Sequence, residues 1–266
     1  FGITELLDGK SAEKIWKKAN LKLATPALTT QGILKKFKVK VVCTTDDPVD
    51  NLEHHRAFAG QGHPTKMLPA FRPAKALTVN SPAGFNQWIG QLSEAANVDV
   101  NGFGAFLIAL KKRHDFFHTQ GCRLSDHGIN HSFADFCSEK AAAAVFDKAR
   151  RGEAVSSQEH GQFASFMMLF LGQLDAKRGW TKQLHLGALR SNNSRLLKQL
   201  GPDTGFDSIG DWPQCSALAS YLDRLDSENS LPKTIIYNLN PADNYAFAAM
   251  IGNFQDGTIP GKIQFG

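Results

Sequence analysis

The sequence predicts an α/β fold built on a parallel sheet, and three observations lead there. Short apolar runs alternate with longer helical patterns along the 266 residues. Most of the runs are bounded by Gly, Pro, Asp or Asn, as strand ends are. Several are followed by helix-start chemistry, which is the mark of strands joined through helices. Hydrophobic residues make up 42% and charged residues 21%, enough apolar surface for a packed globule. No internal repeat or extended low-complexity segment interrupts the alternation.

The elements follow in order. The first candidate strand is Lys38–Thr45, running into Asp46-Asp47-Pro48, where Asp47 reads as the N-cap of a helix over VDNLEHHRAF. The second, Lys66–Phe71, ends in Arg72-Pro73, and Ser81-Pro82 then opens a helix over AGFNQWIGQL. The third, Cys122–Asp126, continues into His127-Gly128. Between it and the fourth, residues 130–179 hold two long helices. Ser156 and Glu159 form a capping box that opens the second of these, Gly161–Leu174. Its phenylalanines, with Phe133, Phe136, Val145 and Phe146, recur at helical spacing and are expected in the core. The fourth strand, Lys182–Ala188, carries His185 and leads to Arg190; the fifth is Lys233–Leu239, before Asn240-Pro241; the sixth is Gly261–Phe265.

Two architectures satisfy this order, an open doubly wound sheet and a (β/α)8 TIM-type barrel. No GxGxxG or P-loop follows a strand, which weakens the nucleotide-binding open sheet. A barrel takes about 250 residues and eight strands. Six strands fill this chain because of the insertion, so the barrel reading lacks two. That fits a chain opening on Phe1 with no initiator Met, read as an excised piece.

Composition removes several function classes. The longest apolar run, Phe163–Leu174, is too short to span a bilayer, and no secretory leader pattern opens the chain, so no membrane partner is expected. The net charge of +5 comes from scattered Lys and Arg without aromatic platforms, which argues against nucleic acid. Cys43, Cys122, Cys137 and Cys215 lie far apart with no CxxC pair, against a zinc ribbon or disulfide framework and for a reduced, cytoplasmic protein.

Catalytic groups of a barrel sit at the C-terminal ends of its strands. There the sequence offers Arg72, Asp126, His185 and Arg190. Two arginines suit the bidentate grip of a carboxylate, so the substrate is expected to be anionic. Asp126 can abstract a proton, and His185 can contact a metal or a substrate hydroxyl. Singly, each has a plainer reading: a strand-end Arg as a surface ion pair, a strand His as a core residue. His54, His55, His114, His118 and His160 read as helix-surface residues. No HxH, HExxH or carboxylate cluster is present to hold a metal unaided.

The runs CTTDDP (Cys43–Pro48), FRP (Phe71–Pro73), GCRLSDHG (Gly121–Gly128), QLHLGALR with SNNSR (Gln183–Arg195), GFDSIGD (Gly205–Asp211), YNLNPADNYAFAAMIGNFQ (Tyr237–Gln255) and PGKIQFG (Pro260–Gly266) closely resemble the uronate isomerase family. They occur in the family's order and span nearly the whole chain. The resemblance implies an incomplete (β/α)8 barrel of the amidohydrolase superfamily, about strands two to seven. It would form one truncated domain over 1–266 with a helical insertion at 130–179. It implies interconversion of D-glucuronate with D-fructuronate, and of D-galacturonate with D-tagaturonate, by proton transfer between C2 and C1. A divalent metal, usually zinc, is implied for the full-length protein.

Residue by residue, the resemblance makes Asp126 and His185 catalytic and Arg72 and Arg190 substrate-binding. Asp207 and Asp211 match a family loop without an assigned role. The family's metal-binding HxH and Asp-Ser-Arg motifs and its His-Glu-Tyr segment do not occur here, and the chain stops before a tryptophan-rich run. The main metal ligands are therefore missing, His185 being the one candidate, and the 266 residues alone are expected to lack zinc and activity. Open strand edges invite homo-oligomerisation. Two alternatives stand beside this reading: a hydrolase of a carboxylated substrate from the same superfamily, and a non-catalytic sugar-acid-binding module presenting Ser132–Leu174.

Overall fold

The computed structural model describes residues 1–266. They form two compact units: Phe1–Thr44 with Leu52–Leu68, and Thr45–Asn51 with Pro69–Gly266.

The first unit holds α1 (Ala12–Leu23), α2 (Thr30–Lys36), β1 (Val41–Cys43), α3 (Glu53–Ala59) and β2 (Lys66–Leu68). The two strands pair in parallel, with Val42 opposite Met67. Helix α2 starts where Thr29 Oγ1 accepts the Gly32 N–H. The helix expected directly after Asp47-Pro48 begins only at Glu53, because Leu52 takes a left-handed backbone with φ 57°. Asp47 is accordingly no helix cap; its Oδ1 accepts the Val49 N–H and, at 2.8 Å, the Trp88 indole N–H. His54 is exposed as expected, but His55 is buried, with Nε2 2.7 Å from Thr44 Oγ1.

The second unit holds α4 (Pro82–Ala96), α5 (Phe103–Thr119), β3 (Leu124–Gly128), α6 (Glu139–Arg150), α7 (Ser157–Arg178), β4 (Thr181–Leu186), β5 (Ala188–Leu189), α8 (Ser194–Leu200), β6 (Ser208–Ile209), α9 (Cys215–Ser227), β7 (Lys233–Asn238), α10 (Asn244–Ile251) and β8 (Ile263–Phe265). Strands β3, β4, β7 and β8 are neighbours in that order, every pair parallel. Parallel bridges from Ser125 to Phe71, and from Phe71 to Asp46, extend this sheet beyond β3. All six expected strands are present. The short antiparallel pair β5–β6 is an addition that the sequence did not announce.

Alternate residues of a strand face opposite sides of its sheet. Leu184, Leu186 and Ile236 face the helices and join one apolar core with Phe85, Phe106, Phe146, Phe163 and Leu222. The rings meet in aromatic geometry, Phe106 and Phe146 with centroids 5.2 Å apart. Phe133, Phe166 and Phe170 pack against this core, whereas Phe136 stays at the surface. The capping box of α7 is complete, Ser156 and Glu159 each bonding the other's backbone. That helix ends at Gly179, whose φ of 65° is cheap only for glycine. No helix is long and apolar enough to cross a membrane.

Candidate active site

Strands β3 and β4 pair with Asp126 opposite Gln183 and Gly128 opposite His185. The side of the sheet away from the helix core opens into a cavity of about 600 Å³ at the strands' C-terminal ends. Thr45, Arg72, Asp126, His185, Arg190 and Tyr237 are among its lining residues. The structure thus brings together all four side chains that the sequence singled out.

Asp126 is the centre of the group. Its Oδ2 lies 3.5 Å from Arg72 Nη1, and its Oδ1 lies 2.8 Å from His185 Nε2. The His185 contact is an ion-pair distance outside hydrogen-bond geometry, so the buried Oδ1 accepts no hydrogen bond. The main chain fixes both partners, the Asp126 N–H donating to Phe71 O and the Arg72 N–H to Asp46 O, each at 2.9 Å. Arg72 reaches the carboxylate because the facing residue is glycine. A Cβ on Gly128 would lie 2.3 Å from Arg72 Nη2.

Arg190 stands at the exposed rim. Its Nη1 donates to Asp207 Oδ2 at 2.6 Å and lies 3.6 Å from Asp203. The Ser191 N–H also donates to Asp207, and that bond, together with Arg190, holds the Asp207 carboxyl below the usual carboxylate range. Asp207, a loop residue without a role in the sequence reading, is therefore the counter-ion of Arg190. Asp211 is exposed and does not line the cavity. Sequence reasoning also passed over Tyr237, whose ring stacks on His185 with centroids 4.6 Å apart and planes 8° from parallel. The available signal was its place in a strand following the one that carries His185.

The opposite side of the same strands carries a second polar group. Lys182 Nζ lies 2.7 Å from Asp175 Oδ2 and 2.7 Å from His127 Nε2. Ser125 Oγ donates to Asp175 at 2.6 Å, and His114 Nε2 approaches the other carboxylate oxygen at 3.1 Å. All five side chains are buried. His114 was expected on a helix surface; it lies instead on the buried stripe of α5, stacked on Trp180 at 3.7 Å. His118 and His160 are half-buried rather than on the surface, the first accepting the Trp180 indole N–H and the second bonding Leu77 O.

A structural or catalytic zinc takes three or four protein ligands. Asp126 and His185 are two adjacent donors, but no group of three or more His, Cys, Asp or Glu side chains is placed to hold a metal ion. The residues present do not form a metal site on their own.

Comparison with known proteins decides the family. The model of glucuronate isomerase matches residues 1–266. The chain belongs to the glucuronate isomerase family. It is 61% identical to the uronate isomerase of Solibacter usitatus and 59% identical to that of Opitutus terrae, over all of this chain and 57% and 56% of theirs. Among solved structures, the uronate isomerase of Thermotoga maritima superposes with a TM-score of 0.87 at 32% identity, over 99% of this chain and 56% of that one. The glucuronate isomerase of Caulobacter crescentus gives 0.81 at 26%, over 91% and 50%. This glucuronate isomerase family chain thus spans little more than half the length of the relatives it matches. Its parallel α/β arrangement is the fold of those solved uronate isomerases, as its motifs implied.

Proposed function

We propose that the whole protein carrying this chain interconverts D-glucuronate with D-fructuronate, and D-galacturonate with D-tagaturonate. The observation that carries this reading is the convergence of Arg72, Asp126, His185 and Arg190 on one cavity in a member of the glucuronate isomerase family. A hexuronate has a carboxylate at one end and a carbonyl at the other, and a cavity of about 600 Å³ accommodates it.

Each residue then has a task. Arg190 engages its two aspartates through Nη1, leaving the Nε–Nη2 edge of its fork for a substrate carboxylate. Asp126 takes the proton from C2 as that C–H bond breaks, and the C1–C2 enediol forms. It returns the proton to C1, leaving the carbonyl at C2. His185, beside Asp126 and open to the cavity, moves the hydroxyl proton from O2 to O1. Arg72 offsets the negative charge that develops on those oxygens. A divalent metal, zinc in the family reading, belongs to the whole protein. We also infer that residues 1–266 belong to one barrel domain with a helical insertion at 130–179, that the protein is cytoplasmic, and that it forms a homo-oligomer.

The test is direct. The whole protein and the 266 residues alone are each incubated with D-glucuronate and zinc, and D-fructuronate is followed. Conversion by the whole protein only is the expected result. No conversion by the whole protein overturns the isomerase reading, and turnover by the 266 residues overturns the need for groups outside them.

A further inference from the structure

We propose that Tyr237 is a positioning residue of this site, fixing the His185 imidazole against Asp126 within a row built as glycine, ring, ring, glycine. Gly128, His185 and Tyr237 are register partners across β3, β4 and β7. Gly266, just past β8, closes the row, its N–H donating to Ile236 O at 2.9 Å. The two outer positions are glycine for a steric reason. The Arg72 guanidinium fills the space over Gly128, and a Cβ on Gly266 would lie 2.3 Å from Tyr237 Cε1.

Tyr237 is therefore held on three sides. Gly266 backs one side of the ring, His185 stacks on the other nearly parallel, and Gln183 Nε2 donates to the phenol oxygen at 3.3 Å. His185 itself has no comparable anchor: its side chain is 47% exposed, and its one polar contact is the Asp126 carboxylate. A half-exposed imidazole samples several rotamers unless a neighbour removes them. The stacked phenol is the neighbour that does so, and it keeps Nε2 turned to Asp126.

The kinetic part of this inference rests on the isomerase reading, whereas its structural part does not. Histidine ring signals of the isotope-labelled whole protein are followed by NMR, with His185 assigned from a His185→Asn variant. Tyr237→Ala removes the ring current and should move the His185 ring protons downfield while the other histidines stay in place. Tyr237→Phe, which keeps the stack, should restore them. With D-glucuronate, Tyr237→Ala should lower kcat up to about 10²-fold with little change in KM, and Tyr237→Phe should recover most of it. Gly266→Ala, which pushes the ring from the far side, should displace the same signals and serves where Tyr237→Ala fails to fold.

Unmoved His185 signals in Tyr237→Ala, or in Gly266→Ala where that variant stands in, overturn the proposal whatever the activity. An equal kcat loss in Tyr237→Phe and Tyr237→Ala overturns it by assigning the effect to the hydroxyl. Signals that move as expected in a protein that does not isomerise leave the positioning role standing and remove only the reaction.

Discussion

On the cavity side of β3 and β4, Asp126 and His185 approach to 2.8 Å with the imidazole half open to solvent. On the helix side of the same strands, Lys182 and Asp175 approach to 2.7 Å with both side chains out of water. The residue types are alike, and the difference lies in how completely each group is satisfied. Asp175 receives Lys182, Ser125 and His114, and Lys182 also reaches His127. Burial alone would raise the Asp175 pKa, yet Lys182 and the His114 bond outweigh it and hold the carboxyl well below the carboxylate range. Burial, then the Lys182 charge, pushes His127 well below the usual histidine range, so its neutral ring accepts from Lys182 Nζ. The Asp126 group keeps a carboxylate oxygen without a hydrogen bond and a partly exposed arginine, the polar capacity on which the proposed substrate site rests.

The largest expected effect tests the cavity side. Asp126→Asn in the whole protein should lower kcat for glucuronate isomerisation by about 10²–10⁴-fold while leaving the melting temperature near its starting value. A variant that unfolds instead would place Asp126 with the structural group. Lys182→Met tests the helix side by stranding the Asp175 charge. It should cost about 3–5 kcal/mol in denaturant unfolding, and a cost below about 1 kcal/mol would show that the network is not closed.

Acid sharpens the same contrast. Both His127 and Asp175 have folded pKa values below their unfolded ones, so the unfolded chain binds more protons and stability rises with pH. The His127 share is complete above about pH 6.5 and fades as pH falls below it; the Asp175 share fades below about pH 4. His131 and His160, also lowered by burial, add to the first step. A melting temperature that stays flat from pH 7 to 5 would contradict a neutral, buried His127. The smallest effect is a control on the helix that carries Asp175. Ser156→Ala removes the cap of α7, should cost about 1 kcal/mol, and should leave kcat unchanged. A drop in kcat would mean that loss of helix stability reaches the cavity.

The six parallel strands are legible in the sequence because each is a short apolar run closed by turn residues. The β5–β6 pair, two residues a side, is too short to leave a pattern. Arg72, Asp126, His185 and Arg190 are legible through the rule that strand ends carry the chemistry. Their partners are not, since Asp207 reaches Arg190 only through the β5–β6 pairing and Tyr237 reaches His185 only through register. His114 is expected on a helix surface. Its spacing says otherwise: it follows Leu110 by four residues and precedes Phe117 by three, on the stripe that α5 buries. In LSDHG, polar residues face both sides of β3, so hydrophobic alternation carries no information on which side opens to the cavity.

The Lys182–Asp175 pair also bears on how β4 finds its place during folding. Successive residues of a strand face opposite ways, so sliding β4 one step against β3 would turn Lys182 to the cavity and leave Asp175 buried without a cation. Such a slip forfeits several kcal/mol at once, a much steeper penalty than a slightly misaligned apolar ladder carries. The pair is therefore expected to favour the observed strand alignment. Replacing it with Lys182→Met and Asp175→Leu together should leave equilibrium stability close to its starting value and lower the refolding yield. An unchanged yield would show that the apolar residues align the strands by themselves.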